Sequence, residues 1–343
     1  MIYNFKSDYL EGAHPSILQL LEATNLTQQE GYGYDEYSKK AKDLIKRLCN
    51  AEGEVFFVCG GTFANLVSIA HFLRPYEAVV CADTAHIATH EAGAIEASGH
   101  KLITVKNREG KIFPDDIKRV LKYFKDEHRV KPAMVYVSNA TEFGTVYSED
   151  EMMQLGEFCK ENNLLFYVDG ARIGNAAAYL GYRDFGFVSK YCDAFYIGAT
   201  KNGGLIGEAI VINNDKLAVD FRYSIKQRGG LLAKGRLLAV QFLGLFEDNL
   251  YFKLAERANK MAKKMADAIS NLGFEFYIQP QTNLLFPIFP LKFAKKLNEY
   301  YGFYIIDEFD DKCVVRLVTS WASKEEYVDK FTEDLKSLLE VCD

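Results

Sequence analysis

The sequence predicts an α/β fold: a large domain with a mainly parallel central sheet, helices on both its faces, and a smaller C-terminal α+β domain. Two observations carry this. Up to residue 248, apolar runs of strand length alternate with helix-period segments, the pattern of parallel strands joined by crossover helices. Beyond residue 248 comes one long helical stretch, then strands in close succession and a closing helix. The expected division is 1–248, including an N-terminal arm, and 249–343.

In chain order, strands are expected at 54–59, 78–81, 102–105, 133–137, 164–168, 194–197 and 208–212, each a short apolar run. Helices are expected between them at 62–73, 114–124, 148–161 and 171–179. Ser148 opens one of these as Ser-Glu-Asp-Glu, a capping box in which Glu151 reaches back to the helix start. In the C-terminal part a helix over 249–272 precedes strands at 274–277, 283–289 and 313–318 and a helix over 324–341.

A chain of 343 residues has room for two domains and a sizeable core. With 49% apolar residues, 26% charged residues and a net charge of -6, it has the composition of a soluble globular enzyme. The densest basic stretch, 122–131, carries Asp126 and Glu127 and reads as a solvated helix end, so no nucleic-acid partner is expected. Seven cysteines without a Cys-x-x-Cys pair argue against a disulfide framework and a zinc ribbon. Cys59 and Cys313 fall in strand-like runs, where a reduced thiol is a small core residue. The first residues lack the apolar stretch of a secretory signal, and no uncharged run reaches the about eighteen residues of a membrane span. A cytoplasmic setting with no membrane partner is expected.

The chemistry lies at strand ends. The run 164–168 stops at Asp169, and the run 194–197 delivers Lys201 within Gly198-Ala199-Thr200-Lys201-Asn202-Gly203-Gly204. Ligands of open parallel sheets sit at the carboxyl ends of strands. An amine able to form a Schiff base and an Asp to hold a pyridinium nitrogen are the minimum apparatus for pyridoxal 5′-phosphate (PLP). PLP is therefore the expected cofactor, and a small amino acid the expected partner.

Other segments can be read twice. Gly60-Gly61-Thr62 before an apolar helix is either a plain connection or a phosphate site at a helix N-terminus, to which Thr200 can add a hydroxyl. Asp169 can be an N-cap for a helix from Ala171, with Arg172 as a surface ion-pair partner, or the carboxylate on the ring nitrogen, with Arg172 near the phenolic oxygen, and both readings can hold together. His86, again past a strand end, can lie on a pyridine ring and exchange protons. His86 and His90 have metal-ligand spacing, but no glutamate adjoins the first histidine, and no metal is expected. Arg316 is a charge inside an apolar strand and needs an anion, either an internal partner or a substrate α-carboxylate to which Ser7 also donates.

Taken in order, Lys6-Ser7-Asp8, Gly31-Tyr32-Gly33-Tyr34-Asp35, Gly61-Thr62-Phe63-Ala64-Asn65, Ala85-His86 with Glu91-Ala92-Gly93, Val168-Asp169-Gly170-Ala171-Arg172, Lys201, Thr282-Asn283 and Val315-Arg316-Leu317-Val318-Thr319 resemble the threonine aldolase group of fold type I PLP enzymes. This group is also called the aromatic amino acid β-eliminating lyase/threonine aldolase family. The resemblance implies Lys201 as the Schiff-base lysine, Asp169 on the pyridine nitrogen and His86 stacked on the ring. It implies Gly61, Thr62 and Thr200 on the phosphate, Arg172 near the ring oxygen, and Arg316 and Ser7 on the substrate carboxylate. It further implies a homodimer or homotetramer with sites at subunit interfaces, where Tyr32 and residues 226–228 are similar to elements that reach a neighbour's site.

Two segments depart from the family's pattern. Thr200-Lys201-Asn202 stands where many members carry Ser-Lys-Gly, and Thr141-Glu142-Phe143-Gly144 where they carry Thr-His-Asn-Gly. With Glu208-Ala209, these are more similar to a subset that includes phenylserine aldolase. Glu142 is a candidate base, beside His86 or a water, or an ordinary structural acid at a strand end. The expected reaction is cleavage of a β-hydroxy-α-amino acid to glycine and an aldehyde. The competing readings are β-elimination or transamination on the same scaffold, and a non-catalytic binding protein.

Overall fold

The computed structural model describes residues 2–342. Thirteen strands follow in chain order: β1 (Tyr3–Asn4), β2 (Glu54–Val58), β3 (Glu77–Ala82), β4 (Leu102–Val105), β5 (Lys131–Ser138), β6 (Leu165–Asp169), β7 (Ala194–Gly198), β8 (Glu208–Ile212), β9 (Phe276–Ile278), β10 (Leu284–Pro290), β11 (Tyr301–Gly302), β12 (Tyr304–Phe309) and β13 (Lys312–Val318). Seven of them form the central sheet in the order β2-β8-β7-β6-β5-β3-β4. The pairs from β7 through β6, β5 and β3 to β4 are parallel, whereas β8 runs antiparallel to both β7 and β2. Strands β6, β7 and β8 are buried along nearly their whole length, as apolar runs covered on both faces must be.

This order decides where the chemistry falls. The carboxyl ends of β2, β3, β5, β6 and β7 lie along one edge of the sheet, and the antiparallel β8 begins there, with Glu208 registered against Gly198 and Val58. Helix Gly61–Phe72 follows β2, His86 follows β3, Glu142 follows β5, Asp169 ends β6 and Lys201 follows β7. The capping box forms as its sequence dictates: Ser148 Oγ accepts the Glu151 N–H at 3.2 Å, and Glu151 Oε2 accepts the Ser148 N–H at 2.8 Å.

A second, antiparallel sheet in the order β12-β13-β10-β9 lies in the C-terminal part, and β1 pairs in parallel with β11. Two main cores result. One surrounds the central sheet; the other gathers Met261, Met265, Ile269, Leu285, Phe289, Val315 and Phe331, and takes in Phe5 from the N-terminal segment. Helix Leu250–Asn271 serves both, giving Tyr251, Phe252 and Leu254 to the first and Met261 to Ile269 to the second. Among the described residues no helix is long and apolar enough to cross a membrane.

Candidate active site

A cavity of about 260 Å³ opens at the carboxyl edge of the central sheet. Its walls include Gly61, Thr62, His86, Glu142, Asp169, Arg172, Thr200 and Lys201, eight of the eleven residues singled out from the sequence. Asp169 is 3% exposed. Its Oδ2 accepts from Tyr136 Oη at 2.6 Å and Asn65 Nδ2 at 3.0 Å, and its Oδ1 from Tyr196 Oη at 2.6 Å and Ala171 N–H at 3.0 Å. Burial pushes its pKa up, but the neighbouring His86 and the bonds from Tyr136, Tyr196 and Ala171 prevail, and the carboxyl sits below its ordinary range. Four donors hold an anion in an apolar interior.

Asp169 is not a helix cap. The following helix begins at Ile173 with Arg172 in the cap position, so the N-cap reading fails; Asp169 accepts a turn amide instead. Nor is Arg172 on the surface. It is buried, donating from Nε to Asp8 Oδ2 at 2.7 Å and from Nη2 to Asp8 Oδ1 at 3.0 Å, while Asn283 Nδ2 donates to Asp8 Oδ2 at 3.0 Å. Burial opposes the Asp8 charge, but Arg172, Lys201 and these bonds hold its pKa at about 2.

On the wall from β3, His86 Nδ1 meets Glu91 Oε1 at 2.8 Å, and the same oxygen accepts from Asn65 Nδ2 at 2.8 Å. Asn65 thus bridges the carboxylate that orients His86 and the carboxylate of Asp169. Glu142 Oε1 accepts from the His86 N–H at 2.9 Å and from Ser138 Oγ at 2.7 Å, and burial raises its pKa. Burial, together with the Arg172 charge, lowers the pKa of the Lys201 amine. Thr200 Oγ1 contacts Glu208 Oε1 at 3.1 Å.

These walls fit PLP. Gly60 supplies no side-chain cap to helix Gly61–Phe72, whose first turn closes with the Ala64 N–H on the Gly60 carbonyl; the amides of Gly61, Thr62 and Phe63 precede it and point out of the helix start, where a phosphate is favoured. A Cβ on Gly61 would stand 2.8 Å from Tyr196 Oη, so only glycine keeps that approach open. An anion site, a half-buried amine of lowered pKa and a firmly ionised carboxylate match the phosphate, aldehyde and pyridine nitrogen of that cofactor.

Three of the singled-out residues stand outside the cavity wall. Arg316, on β13, donates to the Lys6 carbonyl at 3.1 Å; burial, with Arg172 adding to it, lowers its pKa. Ser7 is buried, and its Oγ has no hydrogen-bond partner. Ser7 precedes Asp8 in the segment that leads to Tyr9, itself a wall residue, and Arg316 reaches that segment at Lys6. Tyr32 is 42% exposed, with Lys226 Nζ 4.6 Å from its ring centroid, so Tyr32 and segment 226–228 meet at the surface.

The family model described as Beta-eliminating lyase matches residues 4–289. The chain belongs to the beta-eliminating lyase family. Among its relatives, the low specificity L-threonine aldolase of Pseudomonas sp. is 34% identical over 340 residues, covering 98% of this chain and 97% of the relative. That of Pseudomonas aeruginosa is 36% identical over 287 residues, 83% of this chain and 81% of the relative. The solved threonine aldolase of Leishmania major superposes with a TM-score of 0.96 at 42% identity, covering 98% of this chain and 99% of that one. Aspartate aminotransferase from Thermus thermophilus, 14% identical with a TM-score of 0.73 over 98% of this chain and 91% of its own, shares the fold type I architecture.

Sequence reasoning missed several residues of this lyase's site. Tyr136 and Tyr196 count as apolar in strand patterns, yet a buried tyrosine hydroxyl needs a partner, and that signal was available. Asp8, Asn65, Glu91 and Glu208 become site residues only through contacts across the fold.

Proposed function

We propose that this lyase is a PLP-dependent aldolase that splits a β-hydroxy-α-amino acid of the threonine, allo-threonine or phenylserine type into glycine and an aldehyde. The observation that carries this is the half-buried Lys201 amine and the ionised Asp169 carboxylate lining one cavity. The likeness to threonine aldolases over the whole chain supports the choice of substrate.

Lys201, Asp169, His86, Arg172 and the Gly61-Thr62 turn with Thr200 would hold the cofactor. When bound, PLP supplies an aldehyde for the amine and a ring that accepts the electron pair left at Cα as the Cα–Cβ bond breaks. Lowering of the Lys201 pKa enlarges the share of free amine able to attack a carbonyl carbon. Asp169 stays ionised to face the ring nitrogen, its charge supported by four protein donors. Arg316 and the unpartnered Ser7 Oγ are assigned to the α-carboxylate, which a guanidinium and a hydroxyl can grip together. The β-hydroxyl proton goes to the Glu142 carboxylate, whose raised pKa suits a base, or to His86 Nε2, the ring nitrogen not bonded to Glu91.

Three further assignments belong to this reading. The chain divides at residues 248 and 249 into a PLP-binding part with its arm and a small C-terminal part. It works in the cytoplasm, a setting supported by buried thiols such as Cys49, Cys81 and Cys192. It assembles as a homodimer or homotetramer, a reading supported by the exposed Tyr32, whose ring Lys226 meets at the surface.

The test is glycine and aldehyde release from L-threonine, L-allo-threonine and L-phenylserine by the PLP-loaded protein. Matched yields are expected, with none from Lys201→Ala. Ammonia and a keto acid in place of glycine would replace aldol cleavage by elimination or transamination.

A further inference from the structure

Glu208 has no part in the reaction above, yet its carboxyl lines the same cavity as Gly60, Gly61, Thr62 and Thr200. It is 5% exposed. Its Oε2 accepts the Ala199 N–H at 3.1 Å, and its Oε1 lies 3.1 Å from Thr200 Oγ1, which in turn accepts the Gly207 N–H at 3.2 Å. A hydroxyl has one proton to donate and two lone pairs. While Glu208 is ionised, the Thr200 proton is committed to Oε1, and the cavity faces a carboxylate. With a proton on Oε1 the direction reverses: Glu208 donates to Thr200, whose two lone pairs are then filled by Glu208 and Gly207, and the Thr200 proton is free to point into the cavity.

We propose that Glu208 is a positioning residue for the cofactor's phosphate, acting through Thr200: in its protonated form it aims the Thr200 hydroxyl at the anion, so that phosphate binding takes up a proton from solvent. This rests on the reading of the site as a PLP site. The groups facing Glu208 agree with it. Burial lifts its pKa to about 8, the Lys201 charge from the loop after β7 works against this, and the Asp169 charge at the end of β6 works with it. Tyr196 of β7 and Tyr251 of helix Leu250–Asn271 also face it, and burial keeps both phenols neutral. A phosphate arriving at the helix start adds negative charge and raises the Glu208 pKa further, so affinity is full below about pH 8 and declines above it.

The experiment titrates apoenzyme with pyridoxine 5′-phosphate, which carries the ring and phosphate but no aldehyde, so condensation with Lys201 does not enter. Calorimetry between about pH 6.5 and 9.5, in buffers of different ionisation heat, reports affinity and proton uptake together. Glu208→Gln preserves both hydrogen bonds and mimics the protonated acid permanently. The wild type is expected to lose up to about tenfold in affinity per pH unit above about 8, relative to Glu208→Gln, and to take up a proton that the variant does not. Thr200→Ala is expected to weaken binding at low pH and to narrow the gap between Glu208 and its glutamine variant. Equal slopes and equal proton uptake, with binding intact, overturn this proposal alone. Apoprotein that binds pyridoxine 5′-phosphate at no pH, and gains no visible absorbance with PLP, overturns the cofactor reading and this proposal with it.

Discussion

Removing the Asp8 carboxylate should be among the most damaging single changes outside the catalytic groups. Asp8 is 1% exposed and meets the buried Arg172 through two charge-assisted bonds of 2.7 and 3.0 Å. Its pKa falls from 3.8 to about 2, and at 1.36 kcal/mol per unit this corresponds to roughly 2 kcal/mol favouring the ionised form in the folded state. Asp8→Ala removes that and leaves a buried guanidinium unpaired, so the expected loss is about 3–5 kcal/mol. Because the folded pKa is depressed, the contribution of Asp8 is complete above pH 3.8 and is lost as pH falls through about 2. Urea unfolding of Asp8→Ala, Arg172→Met and the double variant Asp8→Leu/Arg172→Met measures the coupling directly. The apolar double variant should recover most of the loss, since a buried pair is replaceable by packing whereas half a pair is not. An Asp8→Ala loss below about 1 kcal/mol, or single losses that simply add, would refute the reasoning.

Three other outcomes follow from the site. Tyr136→Phe and Tyr196→Phe each remove one donor from Asp169, worth about 1.5–3 kcal/mol, so PLP affinity measured by visible titration should fall by about tenfold to a hundredfold in each. Gly61→Ala drives a Cβ to 2.8 Å from Tyr196 Oη and should weaken PLP binding by a comparable factor while the far-ultraviolet spectrum stays unchanged. If Glu142 is the base, kcat/KM should fall on the acid side through a pKa above the ordinary carboxylate range, and Glu142→Gln should abolish that limb along with about a hundredfold or more of the rate; an unchanged limb would move the role to His86.

The strands that carry the site were legible because each is an apolar run ending in a polar or glycine residue, and that ending is where an open parallel sheet binds ligands. Asp169 and Lys201 could be paired from sequence for that reason alone. The donors around Asp169 could not, because Tyr136 and Tyr196 flank it only once the order β5-β6-β7 is known. Asp8 stands in sequence only as part of a short motif, and its task depends on Arg172, far along the chain, turning inward. Strand β12 escaped notice because Tyr304–Phe309 lies at a sheet edge, largely exposed, and lacks the alternation that marks a half-buried strand. Glu208 was visible only as a family marker, since its position on the cavity wall comes from β8 running against its neighbours.

Helix Leu250–Asn271 begins in one core and ends in the other, and in its first turn Tyr251 Oη donates to the Gly198 carbonyl at 2.8 Å while Asn202 Nδ2 donates to the Tyr251 carbonyl at 2.7 Å. Those two bonds bracket the turn that delivers Lys201. Loosening the C-terminal core therefore frays the far end of a rod whose near end sets the backbone beneath the reactive amine. Heat should strip the cofactor and melt both cores in one cooperative event, and a chain cut just ahead of Leu250 would lose the seat of its lysine along with its second half.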